Sequence, residues 1–179
     1  FVRLVMGLGT RAVNRVADDY PRLITLSHPL LRPENTRAAI SRYSQRFIDM
    51  IDVQANTFVT RSVRETIGRD YAALRWIASV DEDDTLLPIM SLGPSVSPDR
   101  LIVTFDNLLQ RTDFASTLKE MLATLAKHYN FPVEMEFAAS ITGSDASHPE
   151  ITFHLLQCRP QSSLREEASQ PVPPDLAPA

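Results

Sequence analysis

The chain has 179 residues, of which 44% are hydrophobic and 22% are charged, and its formal net charge is −4. A chain of this length can form one domain with a buried core, and the composition is typical of a soluble globular protein. The negative net charge gives no electrostatic support for binding to nucleic acid or to an anionic membrane, so we expect neither as a partner.

The chain contains one cysteine, Cys158, which excludes an internal disulfide framework and favours a reducing compartment such as the cytoplasm. No run of roughly 18 consecutive apolar residues is present, so no transmembrane helix is expected. The first residues, Phe1–Met6, read as though the chain begins inside a strand, which indicates a piece of a longer protein.

The first predicted element is a strand over Val2–Met6, which is short and apolar and runs into the turn Gly7-Leu8-Gly9. Glycines after a strand allow backbone N–H groups to approach phosphate oxygens. Most such glycine pairs are simply turns, so both interpretations remain open at this point. A second strand is predicted over Arg22–Leu26.

A helix is predicted to open at Pro33–Thr36, where a proline and an acidic residue occupy the first turn. Apolar residues then recur at helical spacing and predict one long helix. These residues are Ile40, Tyr43, Phe47, Ile48 and Ile51. The segment Thr57–Val63 predicts a strand, and Arg64–Leu74 predicts a helix, although Gly68 weakens it.

Two strands, Arg75–Val80 and Thr85–Met90, are predicted on either side of Asp81–Asp84. Adjacent carboxylates invite a metal site, but these lack the spaced ligands and the central glycine of a calcium loop. We therefore interpret them as a solvated hairpin tip. Leu101–Phe105 predicts a further strand.

The clearest helix of the chain follows Thr112 and Asp113, either of which can cap its first turn. Its apolar residues lie on one face, and Asn130 and Pro132 signal its end. The residues of that face are Leu118, Met121, Leu122, Leu125 and Tyr129. We expect this helix to pack on a sheet.

The last two predicted strands form a hairpin. In the first arm, apolar residues alternate with Glu134 and Glu136, which predicts a strand with one apolar face. The link, residues 139–150, is rich in serine, glycine and aspartate and reads as a loop. In the second arm, alternation places Phe153, Leu155, Gln157 and Arg159 on one face, and Thr152, His154, Leu156 and Cys158 on the other.

If the arms pair antiparallel with Glu136 opposite Gln157, two carboxylates, an amide and a guanidinium gather on one face. Carboxylate and amide oxygens are ligands for Mg²⁺, and Arg159 can neutralise phosphate oxygens through a two-pronged contact. A half-buried hairpin also normally carries polar residues on the face towards water. The residue pattern alone leaves both interpretations open, a site for a polyphosphate with its metal and a solvated face.

Two strings in this hairpin, E-M-E-F-A at 134–138 and L-Q-C-R-P at 156–160, resemble the end of the nucleotide-binding domain of the phosphoenolpyruvate synthase and pyruvate phosphate dikinase family. In that family a D/E-I-E strand is followed by an L-Q-x-R-P strand. The G-L-G-T loop at 7–10 is similar to the family's G-L-G-E loop. Thr10 departs from the family's glutamate, and a hydroxyl cannot replace a carboxylate as a base or a strong metal ligand.

The string D-D-Y-P-R at 18–22 also resembles a segment of this family that follows the glycine loop. Its aspartates, Asp18 and Asp19, are candidates for residues near the nucleotide. We interpret them instead as part of a solvated turn.

The resemblance implies the carboxy-terminal part of an ATP-grasp nucleotide-binding domain with ATP and Mg²⁺ as ligands. We expect an α/β (α+β) fold with a largely antiparallel sheet and helices packed on it. Glu136 and Gln157 are the expected metal ligands, and Arg159 is the expected catalytic contact to phosphate. The residues assigned to nucleotide binding are Gly7, Gly9, Glu134, Glu136, Gln157 and Arg159.

On this interpretation residues 1–161 form a partial ATP-grasp domain. Residues 162–179 are rich in proline and have few apolar side chains, so we expect them to form a disordered linker or tail. In the resembled family, a linker at this point leads to a domain that carries a phosphorylated histidine.

The resemblance implies a cytoplasmic kinase of the transferase class, in which ATP phosphorylates that carrier histidine and then pyruvate, giving phosphoenolpyruvate. None of His28, His128, His148 and His154 lies in the Gly- and Thr-rich setting of the carrier, so the isolated chain is expected to be inactive. Related ATP-grasp kinases act on glucans or rifamycins, so the acceptor stays open. A non-catalytic binding module is the alternative, and Thr10 favours it.

Overall fold

Short strands and helices make up the structure, a computed structural model that describes residues 1–14, 16, 18–68, 71–82, 85–90, 97–143 and 148–161. The predicted tail, residues 162–179, therefore lies outside the described residues. The strands are β1 (Val2–Leu4), β2 (Arg22–Ile24), β3 (Phe47–Asp52), β4 (Thr57–Ser62), β5 (Ala78–Glu82), β6 (Thr85–Pro88), β7 (Leu101–Val103), β8 (Val133–Thr142) and β9 (Glu150–Pro160). The α-helices are α1 (Thr10–Val13), α2 (Arg37–Arg42), α3 (Val63–Thr66), α4 (Leu74–Ile77), α5 (Asp106–Arg111) and α6 (Phe114–Tyr129), and a 3₁₀ turn spans Pro98–Arg100.

The strands of the described residues pair antiparallel in small sheets. β1 pairs with β2, β3 pairs with β4, β5 lies between β6 and β7, and β8 pairs with β9. Helix α6 contacts β8 and β9, and helices α4 and α5 contact β5. The expected mixed α/β (α+β) fold, with antiparallel sheets and helices packed on them, is confirmed.

Helix α6 follows the sequence pattern closely. Asp113 is its N-cap residue and makes no side-chain capping bond, while Oγ1 of the preceding Thr112 accepts a hydrogen bond from Phe114 N at 3.2 Å. Asn130 ends it in a left-handed conformation with φ 50°, which asparagine tolerates better than most residues. Leu118 is fully buried and Tyr129 is 47% exposed. Contact with the core is therefore concentrated at the amino end of the helix.

The long helix predicted around residues 40–51 is wrong in its second half. Helix α2 ends at Arg42. The residues that lie in β3 instead are Phe47, Ile48 and Ile51. Gln45 accounts for the break, because its Oε1 accepts from Met6 N at 2.7 Å and its Nε2 donates to Met6 O at 2.9 Å. These buried bonds satisfy the backbone beyond β1 and hold the segment away from helical geometry.

The single helix predicted over Arg64–Leu74 is also wrong, because α3 and α4 are separate short helices. Helix α3 opens with a capping box in which Ser62 and Glu65 exchange hydrogen bonds of 3.2 Å. Gly68 lies just beyond its end, where the low helix propensity of glycine favours termination.

Several strand boundaries in the middle of the chain differ from the prediction, among them the end of the strand predicted over Thr85–Met90, which stops at Pro88. The strand predicted from Arg75 begins at Ala78, since α4 occupies the residues before it. The strand predicted to reach Phe105 ends at Val103, and Phe105 takes a left-handed conformation with φ 58°, after which α5 begins. A left-handed conformation is unusual for a bulky residue, so no sequence pattern indicated this turn.

Asp81, the first residue of the acidic segment, does not belong to a solvated tip. Asp81 and Glu82 lie in β5, while Asp83 and Asp84 fall outside the described residues. Asp81 receives a two-pronged contact from Arg37, with both N···O distances at 2.6 Å. In the part of the chain that the structure describes, no cluster of three or more histidine, cysteine or acidic side chains could hold a metal.

Candidate functional site

The β8–β9 hairpin brings four of the predicted site residues together. Glu136 lies directly opposite Gln157, and Glu134 lies opposite Arg159. The predicted antiparallel register is therefore confirmed, but the loop predicted over residues 139–150 is wrong at both ends, because residues 139–142 lie in β8 and Glu150 lies in β9. All four site residues are exposed. We call this group of four the hairpin polar face.

A β-bulge interrupts β9 next to the hairpin polar face. The pairing steps from Glu136–Gln157 to Phe137–Leu155, which leaves Leu156 as the extra residue. Leu156 is 66% exposed. An extra residue in one strand shifts the alternation of its side chains by one position from that point onward.

The bulge overturns part of the predicted arrangement of faces. Uninterrupted alternation places Phe153 and Leu155 on the polar face, and this placement is wrong. The Phe153 ring instead packs against Phe114 of α6, with ring centroids 5.2 Å apart, and against Phe137 at 6.1 Å. The apolar face of the hairpin is thereby attached to α6, and the hairpin polar face points away from that contact.

Arg159 holds Glu134 in a surface ion pair. Its Nε and Nη2 lie 3.1 and 3.0 Å from Glu134 Oε2, and the two side chains are 61% and 48% exposed. An exposed pair of this kind contributes roughly 0–1 kcal/mol to stability. Arg159 is therefore oriented in the free protein but remains available to another anion.

The side chains of Glu136 and Gln157 form no hydrogen bond or ion pair with any residue that the structure describes. Mg²⁺ bound to phosphates typically takes one or two protein ligands and completes its shell with phosphate oxygens and water. One carboxylate facing one amide fits that donor set. The pair is thus suited to a metal that a polyphosphate brings with it, rather than to a metal enclosed by protein alone.

Gly7 is the residue of the glycine loop at which no other residue fits. Its φ is +87°, and a Cβ added there would lie 2.5 Å from both Asp49 O and Ile48 Cγ2. Leu8 N donates to Asp49 O at 2.8 Å, so the loop lies directly against β3. Gly9, by contrast, has φ −66° and would place a Cβ with no heavy atom within 4 Å.

A buried carboxylate, Asp49, anchors the residues that follow the loop. Thr10 Oγ1 donates to its Oδ2 at 2.7 Å, while Thr60 Oγ1 and Arg11 Nε donate to its Oδ1 at 2.6 and 3.0 Å. Burial by itself raises the pKa of Asp49, but these hydrogen bonds and the charge of Arg11 outweigh burial and hold the pKa below its ordinary value. Arg11 also pairs with Asp19.

Sequence reasoning missed this network. Asp49 lies within the segment predicted as a helix, so its position beside the glycine loop was hidden. Asp19 was interpreted as part of a solvated turn, and this is wrong, because it is buried and accepts a hydrogen bond from Arg46 N at 2.6 Å. Even a strand assignment for residues 47–52 would have placed Asp49 on the face of Phe47 and Ile51, which are exposed, so alternation carries no signal of its burial.

The glycine loop and the hairpin polar face belong to different parts of the fold. The loop contacts β3, and the hairpin contacts α6. Within the described ranges, no hydrogen bond or ion pair joins them. The structure therefore assembles Glu134, Glu136, Gln157 and Arg159 in one group and leaves Gly7 and Gly9 in another.

Comparison with known protein families covers almost the whole chain. Residues 1–177 match the sequence model of a family described as pyruvate phosphate dikinase, AMP/ATP-binding domain. No curated protein and no solved structure matches the chain. None of the helices in the described residues is long and apolar enough to span a membrane. The dikinase resemblance of the hairpin strings and the glycine loop is thus confirmed at the level of the family, and the chain belongs to the pyruvate phosphate dikinase AMP/ATP-binding domain family.

Proposed function

We propose that the hairpin polar face binds Mg²⁺–ATP and forms part of the site at which a dikinase transfers phosphoryl groups. One observation carries this proposal. Glu136 and Gln157 lie opposite each other beside Arg159, and their side chains have no hydrogen-bond or ion-pair partner among the described residues. Membership of an AMP/ATP-binding family supports the nucleotide as the ligand.

Arg159 is the residue of this face that contacts phosphate. Its guanidinium already bridges to a carboxylate oxygen, Glu134 Oε2, at 3.0 Å. Phosphate oxygens accept the same two-pronged contact and carry more negative charge than a single carboxylate. Because the exposed ion pair contributes little, phosphate can displace Glu134 or share the guanidinium with it.

Glu136 and Gln157 are the residues that would hold Mg²⁺. A bound metal neutralises the phosphate oxygens that it touches. Phosphoryl transfer depends mostly on positioning and on charge neutralisation. Arg159 is oriented beside this pair. The hairpin polar face therefore holds the phosphates from one side and contributes both to their positioning and to the neutralisation of their charge.

The phosphoryl acceptor in this proposal lies outside the chain. The family supports a carrier histidine on another domain of the full-length protein, followed by pyruvate, which becomes phosphoenolpyruvate. The single cysteine supports a cytoplasmic location. Incubating the full-length protein with labelled ATP, with and without pyruvate, tests this step. Label on a histidine and in phosphoenolpyruvate supports it, and label transferred to another acceptor contradicts it.

A non-catalytic binding module is the second candidate, and Thr10 is the residue that favours it. Thr10 carries a hydroxyl in place of a carboxylate, so it cannot act as a base or as a strong metal ligand. That hydroxyl also donates a hydrogen bond to the buried Asp49 at 2.7 Å. Full-length protein that binds Mg²⁺–ATP and never transfers phosphate would support this candidate over the enzyme.

The variant Arg159→Gln tests the phosphate contact directly. Loss of a charged hydrogen-bonding partner costs about 1.5–3 kcal/mol, so Mg²⁺–ATP affinity measured by calorimetry should fall roughly tenfold to a hundredfold. Arg61→Gln is the matched control, because Arg61 is also an exposed arginine, 52% accessible, that pairs with a carboxylate on a hairpin, Asp52. Equal affinities for the parent and both variants would remove Arg159 from the site.

A further inference from the structure

Two arginines line a cleft that the proposed nucleotide site does not use. Arg22 lies in β2 and is 7% exposed. Arg32 has a side chain that is 12% exposed. Both line a cleft of about 120 Å³, together with Tyr20 and Tyr43, whose rings meet edge to face at 5.1 Å.

Most of the N–H groups of these two arginines have no acceptor among the residues that the structure describes. A guanidinium has five N–H donors. Arg22 uses one of its nitrogens in a long hydrogen bond, from Nη2 to Leu31 O at 3.3 Å, and its Nε is buried without a partner. Within the described ranges, the side chain of Arg32 donates only through Nη2, to Thr104 O at 2.9 Å and to Asp106 Oδ1 at 2.6 Å. The nitrogens left over exceed those in use.

Arg22 lacks a direct ion-pair partner among the described residues, although two carboxylates act on it from a distance. Arg22 forms no ion pair there, whereas Arg32 is paired with Asp106. Glu34 is the carboxylate of the described lining, and it forms no ion pair with either arginine. The pKa of Arg22 is lowered to about 10, mainly by burial and then by the positive charge of Arg32, while the charges of Asp106 and Glu34 oppose the shift.

A buried guanidinium without a counterion is costly to the folded state. Such groups are normally paired or bound to a ligand, and buried nitrogens without acceptors call for the same explanation. Two guanidinium groups at one cleft, with unused donors, form a receptor for an oxyanion, since oxyanions accept several N–H groups at once.

We propose that this cleft binds a small oxyanion, a phosphate or a carboxylate, between Arg22 and Arg32. The volume of about 120 Å³ is below the roughly 300–1,000 Å³ of pockets that hold whole cofactors or drug-sized molecules. The cleft therefore takes a free anion or the terminal group of a larger molecule. It is a second anion site, built from elements other than the β8–β9 hairpin.

The test is thermal unfolding of the chain in inorganic phosphate and in acetate, with chloride added to keep ionic strength equal. Phosphate or acetate bound to the folded state should raise the melting temperature in a saturable way. The variant Arg22→Met should lose this response. Its melting temperature without added anion should equal or exceed that of the parent, because the variant removes a buried charge that lacks a partner.

Two controls separate this site from other effects of the anions. Arg61→Gln removes an exposed arginine elsewhere and should respond as the parent does. Arg159→Gln removes the arginine of the hairpin polar face and tests whether the anions act there instead of in the cleft. A response to phosphate alone identifies a phosphate site, and a response to both anions identifies a site that accepts carboxylates as well.

The proposal is overturned if phosphate and acetate leave the parent unchanged, or if they stabilise the parent and Arg22→Met equally, which is a general salt effect or an adventitious ion only. It is also overturned if Arg159→Gln abolishes the response while Arg22→Met keeps it. Should Arg22→Met fail to fold, Arg22→Lys keeps the charge and loses the two-pronged contact. Its half-maximal phosphate concentration should rise about tenfold, and an unchanged value contradicts the proposal.

Discussion

Individual residues around the glycine loop are fixed by one residue of β3. The backbone oxygen of Asp49 accepts a hydrogen bond from Leu8 N, and its carboxylate accepts one from Thr10 Oγ1. The hydroxyl of Thr10, at the position where the resembled loop has a glutamate, therefore holds the glycine loop against β3 in this chain. Gly7 lets the loop approach β3, because a side chain there would collide with the Asp49 backbone.

The two loop glycines should respond very differently to replacement by alanine. Gly7→Ala forces a Cβ into a left-handed residue and against Asp49 O, so we expect a loss of about 2–4 kcal/mol in the free energy of unfolding. Gly9→Ala has ordinary backbone geometry and open space, so its effect should stay within about 1 kcal/mol and can be favourable. Urea denaturation of both variants measures the difference, and equal losses would mean that the loop does not pack on β3 as described.

The β8–β9 hairpin is the element on which the proposed function depends. Its bulge shifts the alternation of side chains in β9, so that one face of the hairpin is apolar and the other carries the hairpin polar face. On one face Phe137 and Phe153 pack with Phe114 of α6. On the other, the four polar residues of the hairpin polar face meet water. Because the bulge lies next to Gln157, the apolar packing on one side of the bulge and the polar group on the other can coexist in a single strand.

This arrangement of faces predicts opposite outcomes for two apolar residues of β9. Phe153→Ala should lower the free energy of unfolding by about 1.5–3 kcal/mol, less than for a fully buried ring because Phe153 is only partly buried. Leu156→Ala should change it by no more than about 0.5 kcal/mol, since Leu156 is exposed. Chemical denaturation distinguishes the two, and a larger loss for Leu156→Ala would mean that β9 alternates without a bulge.

Sequence patterns predicted the hairpin and α6 well because local rules determine both. The alternation of apolar residues with Glu134 and Glu136 sets one face of β8, and capping residues mark the ends of α6. Sequence patterns predicted the wrong element where contacts between residues far apart in the chain determine the structure. The segment around Phe47 has spacing compatible with a helix, but Gln45 binds the backbone of Met6, 39 residues away. The bulge has no signature in composition.

The two candidate sites differ in the same way, because local pattern predicts one of them and distant contacts create the other. The pairing of Glu136 with Gln157 follows from register, and sequence alone was enough to predict it. The cleft between Arg22 and Arg32 arises from chain segments that no motif connects, and the bonds that engage Arg32 reach residues more than seventy positions away. Its unpaired guanidinium is visible only once the partners of each nitrogen are known.

At the scale of the whole molecule, the chain presents two groups of charged residues on different sheets. One is the hairpin polar face on β8 and β9, and the other is the arginine cleft beside β2. The buried network of Asp49 and Arg11 fixes the glycine loop on a third sheet. The chain belongs to an AMP/ATP-binding family, and the hairpin polar face is the nucleotide site that we propose for it.

The most direct test of the central claim is the Mg²⁺ dependence of ATP binding by the variant Glu136→Gln. If Glu136 ligates the metal, calorimetry should show ATP affinity reduced about tenfold or more with Mg²⁺ present and nearly unchanged in excess EDTA. Glu150→Gln is the matched control, since Glu150 is an exposed glutamate on the same hairpin, opposite Thr142, and should bind as the parent does. Equal affinities of Glu136→Gln and the parent at every Mg²⁺ concentration would contradict the account of the hairpin as a metal–nucleotide site.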